Sequence, residues 1–166
     1  VSYLGYPGTL GVSYMDYLIA DRVVIPEDQQ CFYTERLAYL PNCYQITDDR
    51  RAIADAVPAR IALGLPQDAM VYCCFNNPQK ITSQVFDSWM NILKSVPGSV
   101  LWLFKGSQET DTNLKREAMA RGVDQNRLVF AGRVSQADHL ARHKCADLFL
   151  DTAPYNAHTS ASDALW

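Results

Sequence analysis

From Val57 to Trp166, short uninterrupted apolar runs alternate with stretches whose apolar residues recur at helical spacing. No other feature restricts the fold of this chain as tightly. Met70-Val71-Tyr72-Cys73-Cys74-Phe75 is a run of strand length. Ile81, Val85, Phe86, Trp89, Leu93 and Val96 then fall on one helical face, and Pro97-Gly98 closes that helix. Ser99 to Phe104 is a second run, followed by a helix marked by Leu114, Ala118 and Met119 and stopped at Gly122. Leu128-Val129-Phe130, a helix carrying Ala137, Leu140 and Ala141, a run from Asp147 to Leu150 and a last helix start complete the series. Strands apolar on both faces, joined by helices through short connections, predict an α/β fold with a parallel sheet covered on both sides.

Ligands of such sheets bind beyond the carboxyl ends of the strands. That rule selects three loops, 76–80, 131–136 and 151–160. In the first, Asn76-Asn77-Pro78-Gln79-Lys80 places a lysine just before a helix, where its charge can reach a phosphate. The glycines of a Walker A loop are missing, and an exposed lysine after an asparagine turn fits the same residues. In the second, Gly132-Arg133 precedes a helix on which His139 lies three residues from Arg142 and four from His143, hence on a shared face. Such a face suits a base and a ribose. It suits a metal poorly, because arginine does not ligate and no carboxylate completes the set, and it also fits a solvated polar face.

The third loop ends the chain. Leu148-Phe149-Leu150 breaks at Asp151-Thr152-Ala153-Pro154 and restarts as Asn156-Ala157-His158-Thr159-Ser160-Ala161-Ser162-Asp163-Ala164-Leu165-Trp166. A strand, a polar turn and a helix start can hold an anion on backbone N–H groups, with Thr159 and Ser160 as added donors. His158 can donate to a phosphate and Asp163 can accept from sugar hydroxyls. Ser160 and Asp163 also have capping-box spacing, so a well-capped helix without ligand fits too. No nucleophile constellation is supported by spacing.

The first fifty-odd residues are less regular. Gly5-Tyr6-Pro7-Gly8-Thr9-Leu10-Gly11 is either a loop that lets a ligand approach the backbone or a tight turn, and it is not a G-x-G-x-x-G. Tyr17 to Ala20 reads as a short buried strand ending at Asp21. Pro26 to Gln30 reads as a helix start with Phe32, Leu37 and Leu40 on its apolar face, stopped by Pro41, and Asp48-Asp49-Arg50-Arg51 reads as a solvated connector. The expected division is 1–21 as the end of one lobe, 22–56 as a linker and 57–166 as a second lobe.

Fifteen basic and eighteen acidic residues leave a formal charge of -3 without a basic tract, which argues against nucleic acid as a partner. No apolar run is long enough to span a bilayer and no signal-peptide pattern opens the chain, so no membrane partner is expected. Five cysteines, odd in number and without Cys-x-x-Cys spacing, point to a reducing, cytoplasmic setting. Cys73 and Cys74, adjacent in one strand, should face opposite sides of the sheet. The chain opens at Val1 and stops at Trp166 inside a helix, so it is expected to be a piece of a longer protein.

Four ordered motifs carry a resemblance to a known family: Gly5-Tyr6-Pro7-Gly8-Thr9 with Met15-Asp16-Tyr17; Phe75-Asn76-Asn77-Pro78-Gln79-Lys80; Ser99-Val100-Leu101-Trp102-Leu103; and Leu148 to Thr152 with Asn156 to Trp166. The chain resembles the protein O-GlcNAc transferases, glycosyltransferase family 41, above all bacterial members with tetratricopeptide repeats. The likeness is weakest between residues 22 and 68. It implies a Rossmann-like sheet in a two-lobed GT-B enzyme that moves GlcNAc from UDP-GlcNAc to protein Ser or Thr hydroxyls, with inversion and no essential metal or other cofactor. By that resemblance Lys80 is the catalytic residue, binding the diphosphate and stabilising the UDP leaving group. His158, Thr159 and Ser160 hold the phosphates and Asn77 lies close to them. Asp163 holds the ribose, and His139 with Arg142 the uridine. Leu4, Gly5 and Pro7 line the sugar end of the cleft. Gln136 stands where animal members have a lysine. The resemblance also places the family's active-site histidine, upstream lobe and repeats before Val1 and the rest of the nucleotide lobe after Trp166, so these residues alone are expected to be inactive.

Two other readings share most of these features. One is a related UDP-sugar transferase with another acceptor, such as asparagine. The other is a non-catalytic nucleotide-binding or scaffold module. The joint presence of Lys80, His158 and Asp163 argues against the second, and the missing G-x-G-x-x-G argues against a NAD-dependent oxidoreductase.

Overall fold

A computed structural model describes residues 1–166, which divide into two compact units, Val1–Asp48 and Asp49–Trp166. In the first, strands β1 (Tyr17–Ala20) and β2 (Arg36–Tyr39) pair in parallel with Leu18 opposite Leu37, and Ser2 adds a bridge to Leu18. Leu18, Ala20 and Ile25 form a small core under Tyr33 and Leu37. Two buried carboxylates organise the loops around it. Asp21 accepts from the amides of Val23, Val24 and Tyr44 at 2.7–2.9 Å, and Glu35 from Thr9 Oγ1 and the Leu10 amide, both at 2.7 Å.

The helix expected from Pro26 is a short 3-10 stretch, Glu27–Phe32, and Leu37 lies in a strand instead. Phe32 is 68% exposed, so the apolar face that would hold a longer helix is absent. Pairing with β1 claims the backbone of Arg36–Tyr39. Residues 22–48 thus belong with residues 1–21, while 49–56 belong to the second unit, where the Ala54 amide donates to the Ala137 carbonyl at 3.1 Å.

The second unit has the expected alternation. Strands β3 (Val71–Cys74), β4 (Val100–Phe104), β5 (Leu128–Ala131) and β6 (Leu148–Phe149) form one parallel sheet in the order β5-β4-β3-β6. Helices α1 (Ser83–Ser95), α2 (Gln108–Ala120), α3 (Gln136–Arg142) and α4 (Thr159–Leu165) complete it. Thr82, Ser107 and Ser135 each cap a helix by accepting the amide three residues on, at 3.2–3.3 Å. Gly122, at φ +75°, follows α2 in the left-handed conformation that stops a helix cheaply only with glycine.

Phe86, Trp89, Met90 and Leu93 of α1 and Ala118 of α2 pack on Tyr72, Cys74, Leu101 and Leu103 on one face of the sheet. Leu65, Cys145 and Phe149 pack against Val71, Cys73 and Trp102 on the other. Each large apolar side chain so buried contributes about 1.5–3 kcal/mol. Cys73 and Cys74 do face opposite cores, and burial foremost pushes their thiols up, to about 12 and about 11. No helix is long and apolar enough to cross a membrane.

Arg127 ties the end of α1 to the start of β4. Its Nε donates to the Ser99 carbonyl at 2.7 Å, and its Nη2 to the carbonyls of Leu93 and Val96 at 2.7 and 2.8 Å. Arg127→Ala removes three charge-assisted bonds, after which the Leu93 and Val96 carbonyls keep only local donors from Val96 and Ser99, and should lower the unfolding free energy by about 2–3 kcal/mol. Urea unfolding checks this, and Arg127→Lys, with one point donor in place of a fork, should recover less than half of the loss.

Candidate functional site

The connection from β3 through α1 leads to β4 on one side, and β6 returns to the other side of β3. The strand order therefore reverses between β3 and β6, the position where open α/β sheets leave a crevice at their carboxyl edge. Hydrogen bonds fasten the two loops there. Asn76, 3% exposed, follows β3. Its Nδ2 donates to Thr152 Oγ1 at 2.8 Å and to Asp151 Oδ1 at 3.1 Å, and its Oδ1 accepts from Ser160 Oγ. Thr152 Oγ1 donates onward to the Tyr155 carbonyl at 2.8 Å. Asp151 also accepts from the amides of Thr152 and Ala157, both at 2.7 Å, and from Asn156 Nδ2 at 2.9 Å. Burial alone would raise the Asp151 pKa, but these donors outweigh it and hold the carboxyl below the ordinary carboxylate value.

A cleft of about 780 Å³ opens along this edge, within the size range of small-molecule sites. Asn77, His139, Arg142, Thr159, Ser160 and Asp163, all singled out in the sequence, line it, together with Gln136. Lys105 and Arg133 line it too. They belong to the carboxyl ends of β4 and β5, and extending the strand-end rule to the fourth loop, Phe104-Lys105-Gly106, would have found the lysine. Lys105, Arg133 and Arg142 face a single lining carboxylate, Asp163, so the cleft is built for an anion.

One wall is a chain of side chains. Arg142, 4% exposed, donates through Nη1 to the Gly132 carbonyl at 2.7 Å and lies 4.6 Å from the centre of the Phe75 ring. Its Nη2 meets His139 Nδ1 at 2.6 Å. A guanidinium only donates, so Nδ1 accepts and the His139 proton sits on Nε2. That nitrogen is 3.4 Å from His143 Nε2 and 3.7 Å from Asp163 Oδ2. Burial first, then the Arg142 charge, lowers the His139 pKa against the opposing pull of Asp163. His139 is thus a neutral ring in a fixed tautomer on the cleft wall, suited to stacking. His143 shares the helix face but packs on Phe75, with ring centres 5.0 Å apart, and does not line the cleft.

Asn77 Oδ1 accepts from the Gln79 amide at 3.0 Å, which leaves its amide N–H groups to offer a ligand. Lys80 lies in an adjoining cavity of about 480 Å³ that shares Asn77 with the cleft. Its Nζ donates to the Asn156 carbonyl at 3.0 Å and stands 4.2 Å over the Tyr155 ring. His158 is close by, 5.4 Å from Tyr155 between ring centres, and its pKa is lowered by burial and then by the Lys80 charge, with Asp151 opposing. Leu4, Gly5 and Pro7 belong to the first unit. There Leu4 has a positive φ of 59°, the Pro7 carbonyl accepts from Tyr33 Oη at 3.0 Å, and Gly5 borders open space.

Two local readings change. The capping box suggested by Ser160 and Asp163 is not made, because Ser160 bonds to Asn76 and Asp163 to Arg51. Arg51, read as part of a solvated connector, has a side chain only 8% exposed.

A family model, glycosyl transferase family 41, matches residues 1–57 and 52–166. The chain belongs to glycosyl transferase family 41. Among relatives of that family, it is 37% identical over its full length to the probable UDP-N-acetylglucosamine–peptide N-acetylglucosaminyltransferase SEC of Arabidopsis thaliana, of which it spans 18%. It is also 37% identical over 108 residues, 65% of the chain, to the corresponding enzyme of Caenorhabditis elegans, spanning 9% of that protein. In structure, 99% of the chain superposes on a mutant O-GlcNAc transferase of Thermobaculum terrenum with a TM-score of 0.81, 32% identity and 31% of that chain covered. The α/β architecture with parallel sheets is thus that of a GT-B member of family 41.

The paired histidines of this family 41 site give it a pH signature. The His143 pKa is pushed from 6.5 down to about 4 by burial first and then by His139, with Arg142 adding and Asp163 opposing. Between those values the unfolded chain takes up a proton that the folded chain refuses. The contribution of His143 to stability is therefore complete above about pH 6.5 and is lost as the pH falls toward 4, a loss that solvent screening holds to about 1–2 kcal/mol. Urea unfolding at pH 7, 5.5 and 4.5 should show this slope, and His143→Gln should reduce it, with His139 and His158 supplying what remains. An unchanged slope in the variant would remove His143 as its source.

Proposed function

We propose that the unit Asp49–Trp166 binds UDP-GlcNAc, and that the protein carrying it transfers GlcNAc to Ser or Thr hydroxyls of proteins with inversion and without an essential metal. The observation that carries this reading is the cleft at the switch point, which Lys105, Arg133 and Arg142 line together with one carboxylate. Three cations beside a neutral stacking ring and an acceptor for hydroxyls match a diphosphate, a base and a ribose. In this reading His139 and Arg142 take the uridine, Asp163 the ribose, and Asn77, His158, Thr159 and Ser160 the phosphates. The names of the relatives support the donor and the peptide acceptor. We also propose that the first unit ends the upstream catalytic lobe, and that the protein works in the cytoplasm, in keeping with five unpaired cysteines.

Lys80 is the residue that would act in the chemical step. As the bond from the sugar to the diphosphate breaks, negative charge collects on the leaving phosphate oxygen, and a fixed ammonium stabilises that charge more than it stabilises the bound donor. Its present partners, a carbonyl and an aromatic face, are neutral, so no carboxylate competes for it. In the full-length protein, Lys80→Ala should lower kcat for transfer from UDP-GlcNAc to a peptide by roughly 10²- to 10³-fold, with a smaller change in KM. Retention of full kcat would remove Lys80 from the chemical step. UDP binding without any transfer by the wild type would point to a non-catalytic nucleotide-binding module.

A further inference from the structure

Arg51 stands behind the cleft wall. Its Nη1 donates to Asp163 Oδ1, with the two side chains 8% and 13% exposed, and its guanidinium lies 4.8 Å from the centre of the Trp166 ring. Asp163 Oδ2 is left toward His139 Nε2, 3.7 Å away. Arg51 is not among the residues that line the cleft, whereas Asp163, His139 and Arg142 are. Anything it does to a ligand therefore passes through Asp163.

Stability explains this pair poorly. A buried ion pair loses in desolvation much of what it gains in attraction. This one is also incompletely satisfied, since Arg51 Nε and Nη2 are buried without a hydrogen-bond partner. What the pair does supply is orientation. Without Arg51, Asp163 would be a nearly buried carboxylate beside the His139 ring, free to turn toward it. With Oδ1 held from behind, the carboxylate keeps one orientation and Oδ2 stays available as an acceptor at the cleft wall.

We propose that Arg51 is a positioning residue that sets the Asp163 carboxylate to accept the ribose hydroxyls of the nucleotide. The proposal rests on the donor-binding reading given above. It assigns to the segment before the sheet a part in recognising the sugar of the nucleotide rather than its phosphates or base.

The test is calorimetric titration of the full-length protein with UDP and with 2′,3′-dideoxy-UDP, which lacks the hydroxyls Asp163 would accept. Arg51→Met should weaken UDP by about tenfold and leave dideoxy-UDP within about twofold of wild type, so the preference for the ribose collapses. Arg51→Lys, which can keep the single contact to Oδ1, should retain most of that preference, and it carries the test if the methionine variant does not fold. Equal weakening of both nucleotides in Arg51→Lys or Arg51→Met, or no weakening of either in Arg51→Met, would overturn the positioning role. Failure of the donor-binding reading looks different, because wild type would then bind neither nucleotide.

Discussion

The hydrogen bonds that Asn76 makes across the reversal of strand order hold the site together. The loop after β3 and the loop after β6 are 75 residues apart in sequence, and Asn76 joins them through Asp151, Thr152 and Ser160. Both ends are buried, with Thr152 fully so, which makes an unpaired amide or hydroxyl there costly. The geometry of α4, and with it the placement of Thr159, Ser160 and Asp163 on the cleft, follows from that fastening. Asp151 secures the turn by accepting four donors, two of them backbone amides.

Around this frame the charges are arranged by burial. Arg142 sits in the sheet-side wall on Phe75 with no carboxylate against it, and burial, aided by its charge, lowers the His139 pKa. Asp163 is the one acidic group of the cleft, and Arg51 holds it from behind. The result is a pocket with positive charge at its rim, a flat neutral ring on its wall and one fixed acceptor. In the proposed reading, such a set would tell the parts of a nucleotide apart without a glycine-rich loop.

Much of this was legible in the sequence because the second unit obeys simple periodicities. Apolar runs such as Val71–Cys74 and the helical spacing of Phe86, Trp89 and Leu93 are consequences of a sheet buried on both faces. The rule that ligands gather at strand carboxyl ends then brought Asn77, His139, Arg142, Thr159, Ser160 and Asp163 to one cleft. Long-range pairing was not legible. Arg51 looked solvated because nothing local marks its partner 112 residues away. The spacing of Phe32, Leu37 and Leu40 fits a helix, and the pairing that makes Arg36–Tyr39 a strand is with β1 and not local either. Lys105 carries no motif of its own, and only its place at the carboxyl end of β4 marks it.

The most direct test of the central claim is the position of UDP in a crystal of the full-length protein soaked with it. The expected density places the base against His139 and Arg142, the ribose at Asp163, and the diphosphate at Thr159 and Ser160 with Lys80 turned from Asn156 toward it. Density at another surface, or an empty cleft at saturating UDP, would contradict the assignment of this edge as the donor site.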